Sequence, residues 1–357
     1  MILMICQKVV RWMKKKISKG LKVVTILLLL FIVISLIRPT WTPSIKEDNS
    51  ISELCKVNIG NTELEIMIRG NDRDNPVLIF VHGGPCCSEI PYVRKYQEEL
   101  EKDFTIVHYD QRGSGKSYAF GEDYSDVTVA THVSDLVELT KYIESYLEKD
   151  QVILLGHSFG TYIATIAVAR NPELYQAYVG IGQMSDPIEG ELNNLYRCIE
   201  AAENAANEKD AKYLKNLEKS ISEGEIITPR NYVRKYGLAA RGIDDNRDYL
   251  LGFLFGKEYN LLDAIRFYTA SIKHQDNLIV EATQNPISQI VTEIDVPVYF
   301  VMGKYDGMTS PESAEKYLEN ITGEGEKEFL LFEESAHYPQ FEEEQKFYRW
   351  MKDTFIE

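Results

Sequence analysis

Gly156-His157-Ser158-Phe159-Gly160 spells G-x-S-x-G between a predicted strand, 152–155, and a predicted helix, 161–170. A sharp strand-to-helix turn holds its central serine in a strained conformation, and side chains on the flanking positions would clash there, hence the glycines. The turn lifts the Ser158 hydroxyl above the sheet. It also aims the following N–H at the same point, beside a helix N-terminus. The chemistry such a serine can do is nucleophilic acyl transfer, provided a base removes its proton and an acid orients that base. His337, in Glu333-Glu334-Ser335-Ala336-His337-Tyr338-Pro339, follows the last predicted strand, and Asp306, in Gly303-Lys304-Tyr305-Asp306, follows the one before it. Both fall at strand ends on the edge where Ser158 emerges, so Ser158, Asp306 and His337 form the expected triad. His82, His108 and His157 compete for the base role, but they belong to post-strand loops or flank the nucleophile and are expected to be structural. Gly115-Lys116-Ser117 imitates the end of a nucleotide-binding loop, yet the glycine required five positions earlier is Asp110, so no nucleotide is expected.

These residues need a sheet to carry them. Val77–Val81 ends at His82-Gly83-Gly84-Pro85, Phe104–Tyr109 at Asp110-Gln111-Arg112-Gly113, and Val152–Leu155 at Gly156-His157-Ser158. Between the second and third runs, Val133, Leu136, Val137, Leu139, Ile143 and Leu147 recur at helical spacing. Continuous β-branched runs separated by helices predict a mostly parallel sheet covered by helices on both faces, with ligands at the carboxyl ends of its strands. Cys55–Ile59 and Glu63–Arg69 flank Gly60-Asn61 as an opening hairpin. After Ala177–Gly182 the alternation stops, and it resumes at Val296–Gly303 and Phe329–Phe332. The stretch between, rich in Glu, Lys, Asn and Tyr with breaks at Pro229 and Gly237, is expected to be a helical cap. The expected organisation is a basic head at 1–20, an anchor at 21–38, a linker at 39–52, a core at 53–185, the cap at 186–290 and the rest of the core at 291–357.

Charge is distributed unevenly over the 357 residues. Residues 1–22 carry seven Lys and Arg and no acid, while residues 23–357 hold 32 basic against 55 acidic residues, a net −23. A body that acidic repels phosphate backbones, so nucleic acid is not an expected partner. The apolar run Val23–Ile37 follows the basic cluster, Trp12 and Trp41 flank it, and Arg38-Pro39-Thr40-Trp41 offers no small-residue cleavage site. The expectation is an uncleaved, single-pass signal anchor in the cell membrane, with the catalytic domain outside the cytoplasm. Five cysteines, odd in number and without C-x₂-C pairs, predict neither a disulfide framework nor a metal site.

His82-Gly83-Gly84-Pro85, Asp110-Gln111-Arg112-Gly113-Ser114-Gly115-Lys116-Ser117, Gly156–Gly160, Asp306 and His337 together resemble the α/β-hydrolase fold, and most closely its proline iminopeptidase branch. The order Ser, Asp, His along the chain agrees. The resemblance spans about 55–185 and 291–357, leaving the cap unmatched. It implies an oxyanion hole from the N–H groups of Gly84 and Phe159, a bracing role for the Asp-Gln-Arg-Gly loop, and no cofactor. Two positions depart from the family: Cys86 stands where a glycine follows HGGP, and Phe159 where tryptophan follows the serine. The implied activity is a serine hydrolase acting through an acyl-enzyme, an aminopeptidase on small peptides or aminoacyl amides. Cap carboxylates would hold the substrate ammonium, and Glu189, Glu191, Glu200, Glu203 and Glu225 are available. An esterase of acyl esters is the alternative enzyme, and a non-catalytic binding or sensor domain the alternative of another class.

Overall fold

The computed structural model describes residues 2–356, with side chains for Lys16, Lys19 and all residues from Leu21 onward. Eight strands form one sheet in the order β1-β2-β4-β3-β5-β6-β7-β8: β1 Ile51–Ile59, β2 Thr62–Gly70, β3 Val77–Val81, β4 Thr105–Tyr109, β5 Val152–His157, β6 Tyr175–Ile181, β7 Val298–Gly303 and β8 Lys327–Phe332. β1 pairs antiparallel with β2 and β2 antiparallel with β4; every other neighbour is parallel. The first hairpin turns on Gly60 and Asn61, both at positive φ (55° and 62°), which matches the right-handed strand twist.

Alternation along the strands sorts side chains into two cores. Ile79, Val81 and Leu154 pack on one face with the helices Val129–Leu147 and Phe159–Arg170. Leu78, Phe80, Ile153 and Leu155 pack on the other against Phe347 and Met351 of the C-terminal helix Glu344–Phe355. Both faces are dry, so these strands carry no polar alternation, as expected for a covered parallel sheet. Thr128 caps Val129–Leu147 by accepting from the Thr131 N–H.

Between β6 and β7 the chain builds helices only, from Pro187–Asn204 through Leu261–Gln284. Pro229 precedes the short helix Arg230–Lys235, and Gly237, at φ +67°, turns the chain just after it. One cap cluster gathers Leu195, Cys198, Leu214, Val233 and Leu238. The second, made of Phe253, Tyr259 and Phe267, closes on Tyr92, Tyr96 and Phe341 of the core.

The N-terminal region corrects the sequence-based expectation. Ile2–Ile37 is one helix, but among the described residues no helix is long and apolar enough to cross a membrane. The unbroken run Val23–Ile37 rises only about 22 Å against a hydrocarbon core of about 30 Å, and Lys22 precedes it. The single-pass anchor at 21–38 and the localisation built on it are therefore withdrawn. Trp12 and most of the basic head lie outside the described side chains. The side chains from Val23 to Ile34 stand exposed, whereas Arg38 is tied down by donating to the carbonyl oxygens of Phe253 and Tyr259. Part of the segment 39–50 is tied to the body, although residues 46–49 are exposed. The Trp41 N–H donates to the Lys257 carbonyl (3.0 Å), and Arg69 reaches Thr42, Pro43 and Glu101. An arginine buried on β2 needs that many acceptors, and this segment supplies two of them.

Candidate active site

Ser158 sits where β5 gives way to Phe159–Arg170, at φ 54° and ψ −125°, a conformation that costs a side-chain-bearing residue on the order of 1–3 kcal/mol. The surrounding glycines leave no choice. A Cβ on Gly160 would lie 1.9 Å from the Val81 carbonyl oxygen, and one on Gly156 2.7 Å from Thr161 Cα. The Ser158 N–H donates to Ile181 O (2.9 Å), and its carbonyl accepts from Thr161 N–H and Oγ1 (2.9 and 2.6 Å). The turn is thus held from β6 and from the helix it starts. Ser158 is half-buried while its neighbours His157 and Phe159 are buried, so the serine is the most exposed of the three.

Asp306 is fully buried beyond β7. One carboxylate oxygen accepts the N–H groups of Met308 and Thr309 (2.8 and 2.9 Å); the other accepts Thr309 Oγ1 and His337 Nδ1, both at 2.8 Å. Burial pushes its pKa up, but the neighbouring His337 and these donors outweigh it and hold the carboxyl below its ordinary range. His337 follows β8 and is 3% exposed. With Nδ1 committed to Asp306, Nε2 is the ring atom left to take a proton. The ring lies against Gly182, where a Cβ would sit 2.9 Å from Cε1, and Gly182 directly follows the residue that receives the Ser158 N–H. Ser158, Asp306 and His337 thus follow the carboxyl ends of β5, β7 and β8, with the end of β6 between the serine turn and the Asp306–His337 pair.

A cavity of about 340 Å³ opens over this edge, lined by Ser158, Gly84 and Phe159 among others. The two backbone positions expected to offer oxyanion N–H groups thus border the same space as the nucleophile. The Gly83–Gly84 turn approaches so closely that a Cβ on Gly83 would stand 2.7 Å from Ser158 Cβ. That turn is fixed from behind. His82 Nδ1 pairs with the Gly83 carbonyl (2.9 Å), and its Nε2 faces the Gln111 N–H (3.2 Å), which can only donate. His82 is therefore neutral with its proton on Nδ1, and burial pushes its pKa down to about 4. The Gln111 side chain returns a 2.7 Å bond to the His82 carbonyl, while Arg112 grips Asp135 with two nitrogens and reaches the Gly60 carbonyl (2.5 Å). Cys86 takes up the departure from glycine at φ +64° and is buried. His108 is buried too, stacked on Phe80 and paired with Gln97.

Of the five cap acids named from the sequence, only Glu191 lines this cavity, and Arg230 and the Thr228 N–H occupy its carboxylate. Glu189 is bound by Lys316 and Glu203 by Lys215; Glu200 borders a separate surface groove, and Glu225 is exposed. Asp186 and Asp276 line the cavity instead. Neither stands near a motif in the sequence, so only the cap fold reveals them. Among the described residues no group of His, Cys, Asp and Glu could hold a metal ion.

A strand-ordered sheet of this topology, with a serine elbow and a buried Asp–His pair at its carboxyl edge, defines a class, and comparison with known proteins agrees. The alpha/beta hydrolase fold family matches residues 76–198. A probable aminopeptidase of Bacillus subtilis is 32% identical over 306 residues, covering 84% of this chain and 95% of the relative. A proline iminopeptidase of Saccharolobus solfataricus is 23% identical over 296 residues, covering 80% and 86%. The crystal structure of a proline iminopeptidase-related protein from Thermus thermophilus superposes with a TM-score of 0.56 at 21% identity, covering 85% of this chain and 96% of that one. The chain belongs to the α/β-hydrolase fold family, in its proline iminopeptidase-like branch.

Proposed function

We propose that this hydrolase is a serine aminopeptidase that releases the N-terminal residue of small peptides or aminoacyl amides. Ser158 attacks the carbonyl, His337 takes the hydroxyl proton and returns it to the leaving amine, and Asp306 holds the imidazole. The N–H groups of Gly84 and Phe159 receive the oxyanion, and water then resolves the acyl-enzyme. The observation that supports this reading is the buried His337–Asp306 bond, packed against Gly182 next to the residue that receives the Ser158 N–H, together with a cavity at Ser158 that also holds acids from the cap. Asp186 and Asp276 are suited to the substrate ammonium, since a carboxylate not already saturated by arginine is the better acceptor. Met184, Ile188, Ile221 and Ile279 line the same cavity and suit an apolar side chain on the residue released. The names of the aminopeptidase and iminopeptidase relatives support the same substrate class.

A panel of aminoacyl arylamides, their N-acetyl forms and acyl esters tests the proposal. Free-amine substrates should turn over, N-acetylation should remove most activity, and Ser158→Ala should lose labelling by a fluorophosphonate along with several orders of magnitude in kcat. Equal cleavage of acetylated and free substrates would discard the aminopeptidase reading in favour of an esterase. Near wild-type kcat in folded Ser158→Ala would discard serine catalysis.

A further inference from the structure

We propose that Glu89 and His157 are positioning residues for the base: a buried pair that holds the main chain of His337 in place. The inference rests on the serine-hydrolase reading. Glu89 lies on the loop that begins at His82-Gly83-Gly84-Pro85, and His157 directly precedes Ser158. Their side chains are each 3% exposed, with Glu89 Oε1 2.6 Å from His157 Nδ1. His157 Nε2 lies 3.0 Å from the main-chain oxygen of His337, 180 residues away in the chain. The two imidazoles lie 4.9 Å apart, centroid to centroid, and Tyr338 packs on His157 at 5.0 Å.

Both nitrogens of His157 face acceptors. A carbonyl oxygen cannot donate, so the bond to His337 exists only while Nε2 carries its proton. A neutral imidazole that gave its one proton to Glu89 would turn a lone pair toward that carbonyl. An ionised Glu89 removes the choice by favouring the doubly protonated ring. Burial pushes the His157 pKa down and the Glu89 pKa up, yet their mutual attraction reverses both, raising the first and lowering the second. Glu89 also cancels the charge that His157 would otherwise present to His337 at the moment the base becomes a cation. The main chain of His337 is thus held on both sides, its oxygen by His157 and its N–H by the Ala239 carbonyl (3.3 Å), while Asp306 holds the ring. Residue 157 fixes the base and residue 158 supplies the nucleophile, so one turn sets their separation.

The experiment uses the full chain and an aminoacyl arylamide. Glu89→Gln is the conservative rescue, because its amide can donate to Nδ1 and leave the Nε2 proton on the carbonyl; kcat should stay within about fivefold. The double variant Glu89→Gln with His157→Met removes the donor without stranding a buried carboxylate. Its kcat should fall on the order of 10²-fold, the cost of a base displaced by about 1 Å, with KM within about threefold. Wild-type kcat in the folded double variant, or a loss expressed in KM alone, overturns the proposal. The wild-type protein supplies a readout independent of folding. Its ¹⁵N imidazole shifts should show His157 protonated at both nitrogens at neutral pH, and an unprotonated Nε2 would overturn the proposal outright. Ser158→Ala separates the two ideas. If it is inactive while the double variant is fully active, only the positioning role falls; if it stays active, the serine-hydrolase reading falls first.

Discussion

Asp306→Asn isolates the orienting acid without disturbing its pocket. The oxygen that accepts from Met308 and Thr309 N–H must remain an oxygen, because both partners are main-chain donors. The asparagine nitrogen is then forced to the other side, toward Thr309 Oγ1 and His337 Nδ1. Thr309 can rotate its hydroxyl to accept. His337 can accept only by moving its proton to Nε2, the atom that must be free to take the serine proton. A base locked in that tautomer costs about 10⁴ in kcat, or about 5 kcal/mol of transition-state stabilisation. Stability at neutral pH should change far less than it would on emptying the site, since all four contacts keep a partner. The depressed carboxylate pKa contributes stability that is present above its unfolded value near 3.8 and lost as pH falls through the folded one; asparagine lacks that acid-side loss. Steady-state kcat, thermal midpoint and ¹⁵N shifts of the imidazole read these effects separately. A folded Asp306→Asn protein with kcat within tenfold of wild type would refute the assignment, as would a His337 proton still on Nδ1.

Gly160→Ala should cost at least about 3 kcal/mol and abolish fluorophosphonate labelling, because its Cβ would fall 1.9 Å from a main-chain oxygen of β3 that cannot swing away; an unchanged melting temperature would contradict this. Burial holds His82 and His108 at about 4 and His132 at about 3, each below the ordinary histidine value of 6.5, so the unfolded chain binds more protons than the fold between those limits. Asp110, pushed up by burial to about 7, works in the opposite direction, but it is one group against three. Their balance near pH 5 is about two protons, a loss of roughly 2–3 kcal/mol of stability per pH unit on acidification around pH 5. Urea midpoints measured across that range check the sign, and a midpoint that rises as pH falls would be the wrong one.

Much of this was legible in the sequence because local rules and the fold agree there. Runs such as Val77–Val81 are buried on both faces, so their uninterrupted apolarity identifies central strands, and Gly60-Asn61 could only turn a hairpin. Ser158, Asp306 and His337 could be singled out because each follows a strand, and strand ends converge in a parallel sheet. What the sequence hid depends on partners distant in the chain. Glu89 is an ordinary loop acid until His157 is brought to it. Residues 39–50 read as a linker because polar composition does not show that Arg69 and Glu101 lie buried beside them. The apolar segment ending at Ile37 misled because its greasiness was given more weight than its length, which falls short of a hydrocarbon core. The cap acids were undetermined from the start, since helical periodicity leaves open which helix faces the cavity.

The cap does more than cover the site. The Leu238 carbonyl accepts the Gly307 N–H (2.8 Å), one residue after Asp306, and the adjacent Ala239 carbonyl accepts the N–H of His337. Two consecutive cap residues therefore grip the two loops that carry Asp306 and His337. Gly307 has no side chain, which the contact demands, because a Cβ there would meet Leu238 Cβ at 2.8 Å. The sheet brings β7 and β8 side by side, and that alone would leave both loops free to move above it. The grip by Leu238 and Ala239, with His157 on the far side of His337, holds the ends of β5, β7 and β8 in a fixed geometry. Under the proposed function, substrate selection and catalytic alignment depend on the same insertion, so a cap altered to admit another substrate should displace His337 as well.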